Sequence, residues 1–118
     1  MAMFIMRQFW FEAAHFLPNY HGKCENLHGH SYRMDVTVEG EIGEGGMVLD
    51  FAILKDLVKE HLLSKLDHKH FNDLIEEPSA ENIAVWCWDG LEPHLPDFVK
   101  LYEIRVWETR QQYAAYRG

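Results

Sequence analysis

Ser31-Tyr32-Arg33-Met34-Asp35-Val36-Thr37-Val38-Glu39-Gly40-Glu41 alternates apolar and polar side chains almost residue by residue. Tyr32, Met34, Val36 and Val38 fall on one side; Arg33, Asp35, Thr37 and Glu39 fall on the other. Strand side chains point to alternate faces, so a period of two predicts a half-buried strand. Working outward, Phe4–Ala14 is rich in Phe, Ile and Trp and predicts an earlier strand. Lys100–Thr109 sets Leu101, Tyr102, Ile104, Val106 and Trp107 among charges, and Gln111–Tyr116 reads as a final strand. Between them the period changes. Asp50 is placed to N-cap a helix over Phe51–Leu66, with Leu54, Leu57, Val58 and Leu62 as its buried stripe. Pro78-Ser79 opens a second helix, Ala80–Leu91, with Glu81 near its positive end and Ile83, Trp86, Cys87 and Leu91 on one face. Pro93 and Pro96 stop it. Tyr20–Asn26, Gly40–Gly46 and the polar stretch Asp67–Asp73 read as loops, and Met47-Val48-Leu49 as a short extended run.

The order is strand, strand, helix, helix, strand, strand. It predicts an α+β domain, a four-stranded antiparallel sheet with two helices on one face. Four strands leave two open edges, so subunits are expected to join edge to edge.

With 118 residues, 47% of them hydrophobic, the chain suits one compact core and a single domain, 1–118. No internal repeat, low-complexity run or long linker interrupts it. The apolar opening Met1–Met6 stops at Arg7, too short for a signal-peptide core, and no stretch approaches ~20 apolar residues. The expected setting is the cytoplasm, without a membrane span. Cys24 and Cys87 are then expected as free thiols. A net charge of -8 argues against non-specific nucleic-acid binding, which relies on Lys and Arg, but leaves room for a small anionic ligand held by local cations.

His28-Gly29-His30, with His15 upstream, is the motif with most chemistry in it. Three imidazoles fit a zinc centre that keeps one coordination position open. A His-x-His pair on an extended segment puts both residues on one face. With eight histidines in the chain, such a pair also arises by chance. Cys24, four residues before His28, and the cluster Asp67-His68-Lys69-His70 favour the metal reading.

Five segments, Phe11-Glu12-Ala13-Ala14-His15, Cys24-x3-His28-Gly29-His30, Leu66-Asp67-His68, Pro78-Ser79-Ala80-Glu81-Asn82 and Val106-Trp107-Glu108-Thr109, together resemble the 6-pyruvoyltetrahydropterin synthase family. The similarity is greatest to its bacterial branch, which forms 6-carboxy-5,6,7,8-tetrahydropterin in queuosine biosynthesis. The three-residue interval between Cys24 and His28 is similar to that branch. The resemblance implies a tunnelling fold whose trimers close into a barrel, with two trimers stacked in a hexamer and active sites between subunits. It implies a zinc-dependent lyase acting on 7,8-dihydroneopterin triphosphate, releasing acetaldehyde and triphosphate. Pyruvoyl formation, an aldolase-like cleavage and a non-catalytic pterin- or zinc-binding module are the alternatives.

The resemblance also assigns roles. His15, His28 and His30 would hold Zn2+. Cys24, as thiolate, would be the general base, and its thiol pKa must fall for that. Asp67 and His68 would form an acid/base pair, although the residues alone favour a helix-ending Asp beside a solvated His. Glu108 would accept paired hydrogen bonds from the pterin ring, with Thr109 orienting contacts and Trp107 as an aromatic wall. Lys23 is the best placed cation for the triphosphate; Arg7, His21 and Arg105 are candidates by composition. His61 fits the exposed side of the first helix, and His70 receives no role. Two departures stand out: Ser79 where the family more often has Thr, and Glu25 beside Cys24, which opens the aldolase-like alternative.

Overall fold

A computed structural model describes residues 2–15 and 28–118, and for positions 14, 15 and 28–30 the backbone alone. Lys23, Cys24, Glu25 and His21, and the loop read over Tyr20–Asn26, lie outside the described residues.

Two long strands, β1 (Met3–His15) and β2 (His28–Gly40), pair antiparallel along their whole length, from Met3 opposite Gly40 to His15 opposite His28. The chain then forms a 3-10 turn at Glu44–Gly46 and a helix α1 (Phe51–Val58). Helix α1 runs on through a π-helical turn at Lys59–Leu63 into α2 (Ser64–Leu66). A two-residue strand β3 (Lys69–His70) leads through a 3-10 turn at Phe71–Asp73 to α3 (Ala80–Leu91). Strands β4 (Val99–Thr109) and β5 (Gln112–Tyr116) close the chain. The sheet order is β3-β1-β2-β4-β5, with β3 parallel to β1 and the other neighbours antiparallel.

Among the described residues the predicted strands and helices are present, and the sheet has five strands where four were expected. The extra one, β3, falls in the stretch read as a polar loop. Two residues are too few to show a period. What makes them a strand is distant: the His68 N–H donates to the Glu12 carbonyl at 2.5 Å, and Asp67 Oδ1 accepts from the Glu12 N–H at 2.9 Å. Phe71, in the same stretch, is fully buried. Met47-Val48-Leu49 adds no strand; Val48 and Leu49 are simply buried.

The core lies on one sheet face. Tyr32, Met34, Val36 and Val38 are fully buried there, with Phe9, Phe11 and Ala13 from β1 and Leu101, Ile104 and Val106 from β4. Leu54, Val58, Leu62 and Leu66 press onto them at a spacing of four residues, with Leu57 half-buried. The π turn keeps Leu62 and Leu66 on that line, as such a turn accommodates an extra residue. Both helix starts are capped as their sequences predict: Asp50 Oδ1 accepts from the Ala52 N–H at 2.8 Å, and Ser79 Oγ from the Asn82 N–H at 3.2 Å. Gly90 lets α3 approach the π turn, since a Cβ there would sit 3.0 Å from Leu62 Cδ2.

Candidate active site

One end of the sheet gathers most of the residues singled out above. β1 ends at His15, β2 begins at His28, and β4 ends at Thr109; Asp67 and His68 dock beside the same end through Glu12. In the register, position 15 stands directly across from position 28, and position 13 from position 30. Opposite residues in an antiparallel pair lie on the same face, so positions 15, 28 and 30 belong to the row that continues Ala13 and Tyr32. This is a fitting backbone frame for three imidazole ligands, and imidazole is a preferred zinc ligand. Among the described residues there is no group of three or more His, Cys, Asp or Glu arranged to hold a metal; the three histidine side chains are not among the residues described.

Asp67 terminates α2 in an extended conformation. His68 follows with φ 59°, in the left-handed region. His is one of the residues that tolerate this conformation better than most. The bend lets the Asp67 carboxylate and the His68 N–H grip both sides of one residue, Glu12. Asp67 Oδ1 also stands 3.4 Å from His68 Nδ1, so one carboxylate touches both the β1 backbone and the imidazole. The dyad is open, with side-chain exposures of 47% for Asp67 and 70% for His68, as a group that meets a ligand must be. Sequence reasoning missed its support. Phe71 packs against Phe11 and Tyr32 at ring-centroid distances of 5.9 and 5.1 Å, and it seats the segment. The signal was a single aromatic in a polar run. Ser31 Oγ donates to Glu12 Oε1 and Oε2 at 2.7 and 2.9 Å, a cross-strand pair equally unmarked in the sequence.

Glu108 is half-buried near the end of β4. Thr109, exposed, accepts from the Gln111 N–H at 3.2 Å through Oγ1 and shapes the turn into β5. Trp107 is engaged by a partner of its own, and the pairing of β4 with β5 shifts register between Trp107 and Thr109. Its indole N–H donates to Asp35 on the helix-free face at 2.9 Å. Two of the candidate phosphate cations are engaged elsewhere. Arg7 donates to the Phe51 carbonyl at 3.0 Å, and Arg105 pairs with Glu103. His61 is stacked on His94, ring centroids 3.6 Å apart, and so is half-covered rather than on an open helix face. His70 lies in β3 opposite Ala14. Cys87 is fully buried, and burial pushes its thiol pKa up, which leaves it a packing residue.

A helix-backed antiparallel sheet with these residues at one end defines a class, the subunit of the tunnelling fold. The 6-pyruvoyl tetrahydropterin synthase family model matches residues 4–118, and the chain belongs to that family. It is 42% identical to the 6-carboxy-5,6,7,8-tetrahydropterin synthase of Synechocystis, over 95% of this chain and 91% of that protein. It is 40% identical to a dihydroneopterin monophosphate aldolase of Pyrococcus furiosus, over 86% and 85% of the two chains. The structure of Caenorhabditis elegans 6-pyruvoyl tetrahydropterin synthase matches with a TM-score of 0.88 and 28% identity, covering 100% of this chain and 96% of that one.

Proposed function

We propose that the chain is a zinc-dependent lyase converting 7,8-dihydroneopterin triphosphate to 6-carboxy-5,6,7,8-tetrahydropterin, acetaldehyde and triphosphate, a step of queuosine biosynthesis in the cytoplasm. The observation that carries the reading is the meeting, at one sheet end, of the paired positions 15 and 28 with the Asp67-His68 dyad. The Synechocystis relative, similar over nearly the full chain, favours the carboxy product.

In this reading His15, His28 and His30 hold the metal. Zinc held there would supply Lewis acidity toward the hydroxyl-bearing side chain of the substrate. Cys24 takes the proton from the substrate side chain. His68, oriented by Asp67 through Nδ1, exchanges a proton with the substrate through its other ring nitrogen. Glu108 anchors the pterin ring by accepting two N–H donors. Lys23 meets the triphosphate, and Thr109 shapes the turn beside Glu108. The substrate is a small anionic pterin, with no role for nucleic acid or membrane. In the described residues no helix is long and apolar enough to cross one. The outer edge of β5, and that of β1 beyond the two residues paired with β3, suit closure into a homo-oligomeric barrel, a hexamer built as a dimer of trimers. Glu25, together with the aldolase relative, supports a second reading, cleavage of the dihydroneopterin side chain.

The deciding experiment incubates zinc-loaded protein with 7,8-dihydroneopterin triphosphate and identifies the products by mass. Carboxytetrahydropterin with acetaldehyde is expected. A pyruvoyl product or simple side-chain cleavage moves the chain to another branch, and unchanged substrate sinks the carboxy-forming reading in favour of the aldolase-like or binding-module alternative. Metal analysis of His28→Ala is expected to show less than one zinc per chain, whatever its activity.

A further inference from the structure

The end of the sheet opposite the candidate active site carries an open groove of about 1030 Å³. It lies between the strand ends at Gly40 and Lys100, the Glu44–Gly46 turn and the first turn of α1. β1 runs 13 residues, so about 40 Å separate this end from His15. Four large apolar side chains line the groove and stay open to solvent: Phe98 at 66%, Ile42 at 59%, Met47 at 50% and Ile53 at 48%. One exposed apolar residue is ordinary, but four around one groove form a patch of the kind that marks an interaction site.

The patch is built on a fixed frame. Val48 and Leu49, beside Met47, are buried and tie the loop to the core. The Gly43 N–H donates to the Met47 carbonyl at 2.9 Å, and the Gly46 N–H to the Gly43 carbonyl at 3.1 Å, which closes the turn. A Cβ at Gly40 would sit 3.0 Å from Val48 Cγ1 and 3.1 Å from the Phe98 carbonyl, so glycine lets the two loops meet at the floor. A preformed apolar surface needs little ordering when a partner covers it.

The rim is acidic. Among the described lining residues Glu39, Glu41, Glu44, Asp50 and Asp97 carry carboxylates, and Lys100 is the one cation, across from Glu39 in the register. This excess has the sign of the whole chain, whose net charge is -8. It repels an anionic membrane, a nucleic acid and the same end of a second copy, and it attracts a cationic partner. The groove runs across strand ends rather than along a strand edge, so a partner meets it with side chains and not by adding a strand. The oligomer proposed above leaves this end open. β5 pairs only with residues 104–109 of β4, towards the candidate active site. Edge joining through β5 and active sites shared between subunits both use that other half of the molecule.

We propose that this groove docks a cationic amphipathic helix of a partner protein. Its apolar stripe would cover Phe98, Ile42, Met47 and Ile53, and its Lys or Arg residues would meet the acidic rim. The docking does not depend on which reaction the opposite end performs.

The test uses the full chain and a fluorescein-labelled helical peptide of Leu and Lys, with Leu at i, i+3, i+4 and i+7. An isomer of the same composition, with Leu spread around the helix, carries equal charge without the stripe. Anisotropy titrations are expected to show saturable binding of the first peptide, weaker as salt rises, and at least about tenfold weaker binding of the isomer. Phe98→Ala and Ile42→Ala are each expected to weaken binding at least about fivefold, as for a residue that matters to an interface. Both side chains are exposed, so the variants keep the core. Leu74→Ala, at an exposed apolar residue outside the groove, is expected to change nothing. Glu44→Gln combined with Asp97→Asn is expected to flatten the salt dependence. No saturable binding, equal binding of the two peptides, or unchanged binding in Phe98→Ala and Ile42→Ala overturns the proposal. A changed sedimentation coefficient of Phe98→Ala overturns it in favour of a contact between copies of the chain. Flotation with phosphatidylserine vesicles that Phe98→Ala abolishes overturns it in favour of a membrane surface. Failure of the lyase assay leaves the peptide result untouched.

Discussion

Phe71→Ala removes the side chain that seats the Asp67-His68 segment. Phe71 is fully buried and touches Phe11 and Tyr32. Truncating a buried Phe costs about 3–5 kcal/mol, the lost transfer energy plus the cavity left behind. β3 pairs through only two residues, so this segment can partly collapse into the space, and the lower end, about 3 kcal/mol, is expected. A chain of this length has roughly 6–18 kcal/mol in total, so the variant still folds. Phe71→Leu keeps most of the volume and is expected to lose under about 1.5 kcal/mol. Urea unfolding at one fixed protein concentration, with an unchanged m value, measures both. Turnover well below the unfolding midpoint is expected to fall further for Ala than for Leu, because the grip of Asp67 on Glu12 loosens with the seat. A loss below about 1 kcal/mol for Phe71→Ala refutes the reasoning. The two hydrogen bonds to Glu12 would then hold the segment without the aromatic anchor.

Other outcomes follow from the same geometry. Asp67→Asn retains an oxygen to accept the Glu12 N–H and is expected to keep stability within about 0.5 kcal/mol while losing roughly 10²–10⁴ in turnover; near-normal turnover would reduce Asp67 to a scaffold role. Asp67→Ala is expected to lose about 1 kcal/mol as well, seen as a lower urea midpoint. Ser79→Ala removes the cap of α3 and is expected to cost about 1 kcal/mol by thermal unfolding. Burial alone would raise the Glu103 carboxyl, but hydrogen bonds from Arg105 and Arg117 outweigh it and hold it below the usual carboxylate range. The folded state thus binds its proton less readily than the unfolded state. Its stabilisation is complete above the unfolded value near 4.3 and disappears as pH falls through the folded one. Urea midpoints taken from pH 6 to 3 are expected to fall less steeply in Glu103→Gln than in the parent chain.

Much of this molecule is legible in local pattern. The period of two in Ser31–Glu41 and the four-residue spacing of Leu54, Val58, Leu62 and Leu66 repeat over many residues, so each burial choice reinforces the next. Asp50 and Ser79 cap through neighbours two and three residues away, which the sequence places beside them. The histidine pattern and the five family segments are local in the same sense. Tertiary structure decided what depends on residues far apart. Asp67 meets Glu12 across 55 positions, and Trp107 meets Asp35 across 72. β3 is held by the first contact, and Phe71 is buried against Phe11 and Tyr32, which lie 60 and 39 positions earlier in the chain. Trp107 turned its indole to a buried carboxylate on the helix-free face, which the Val106–Thr109 segment alone did not announce. A period reports which way a side chain faces; the group it meets there depends on which strands the fold brings alongside.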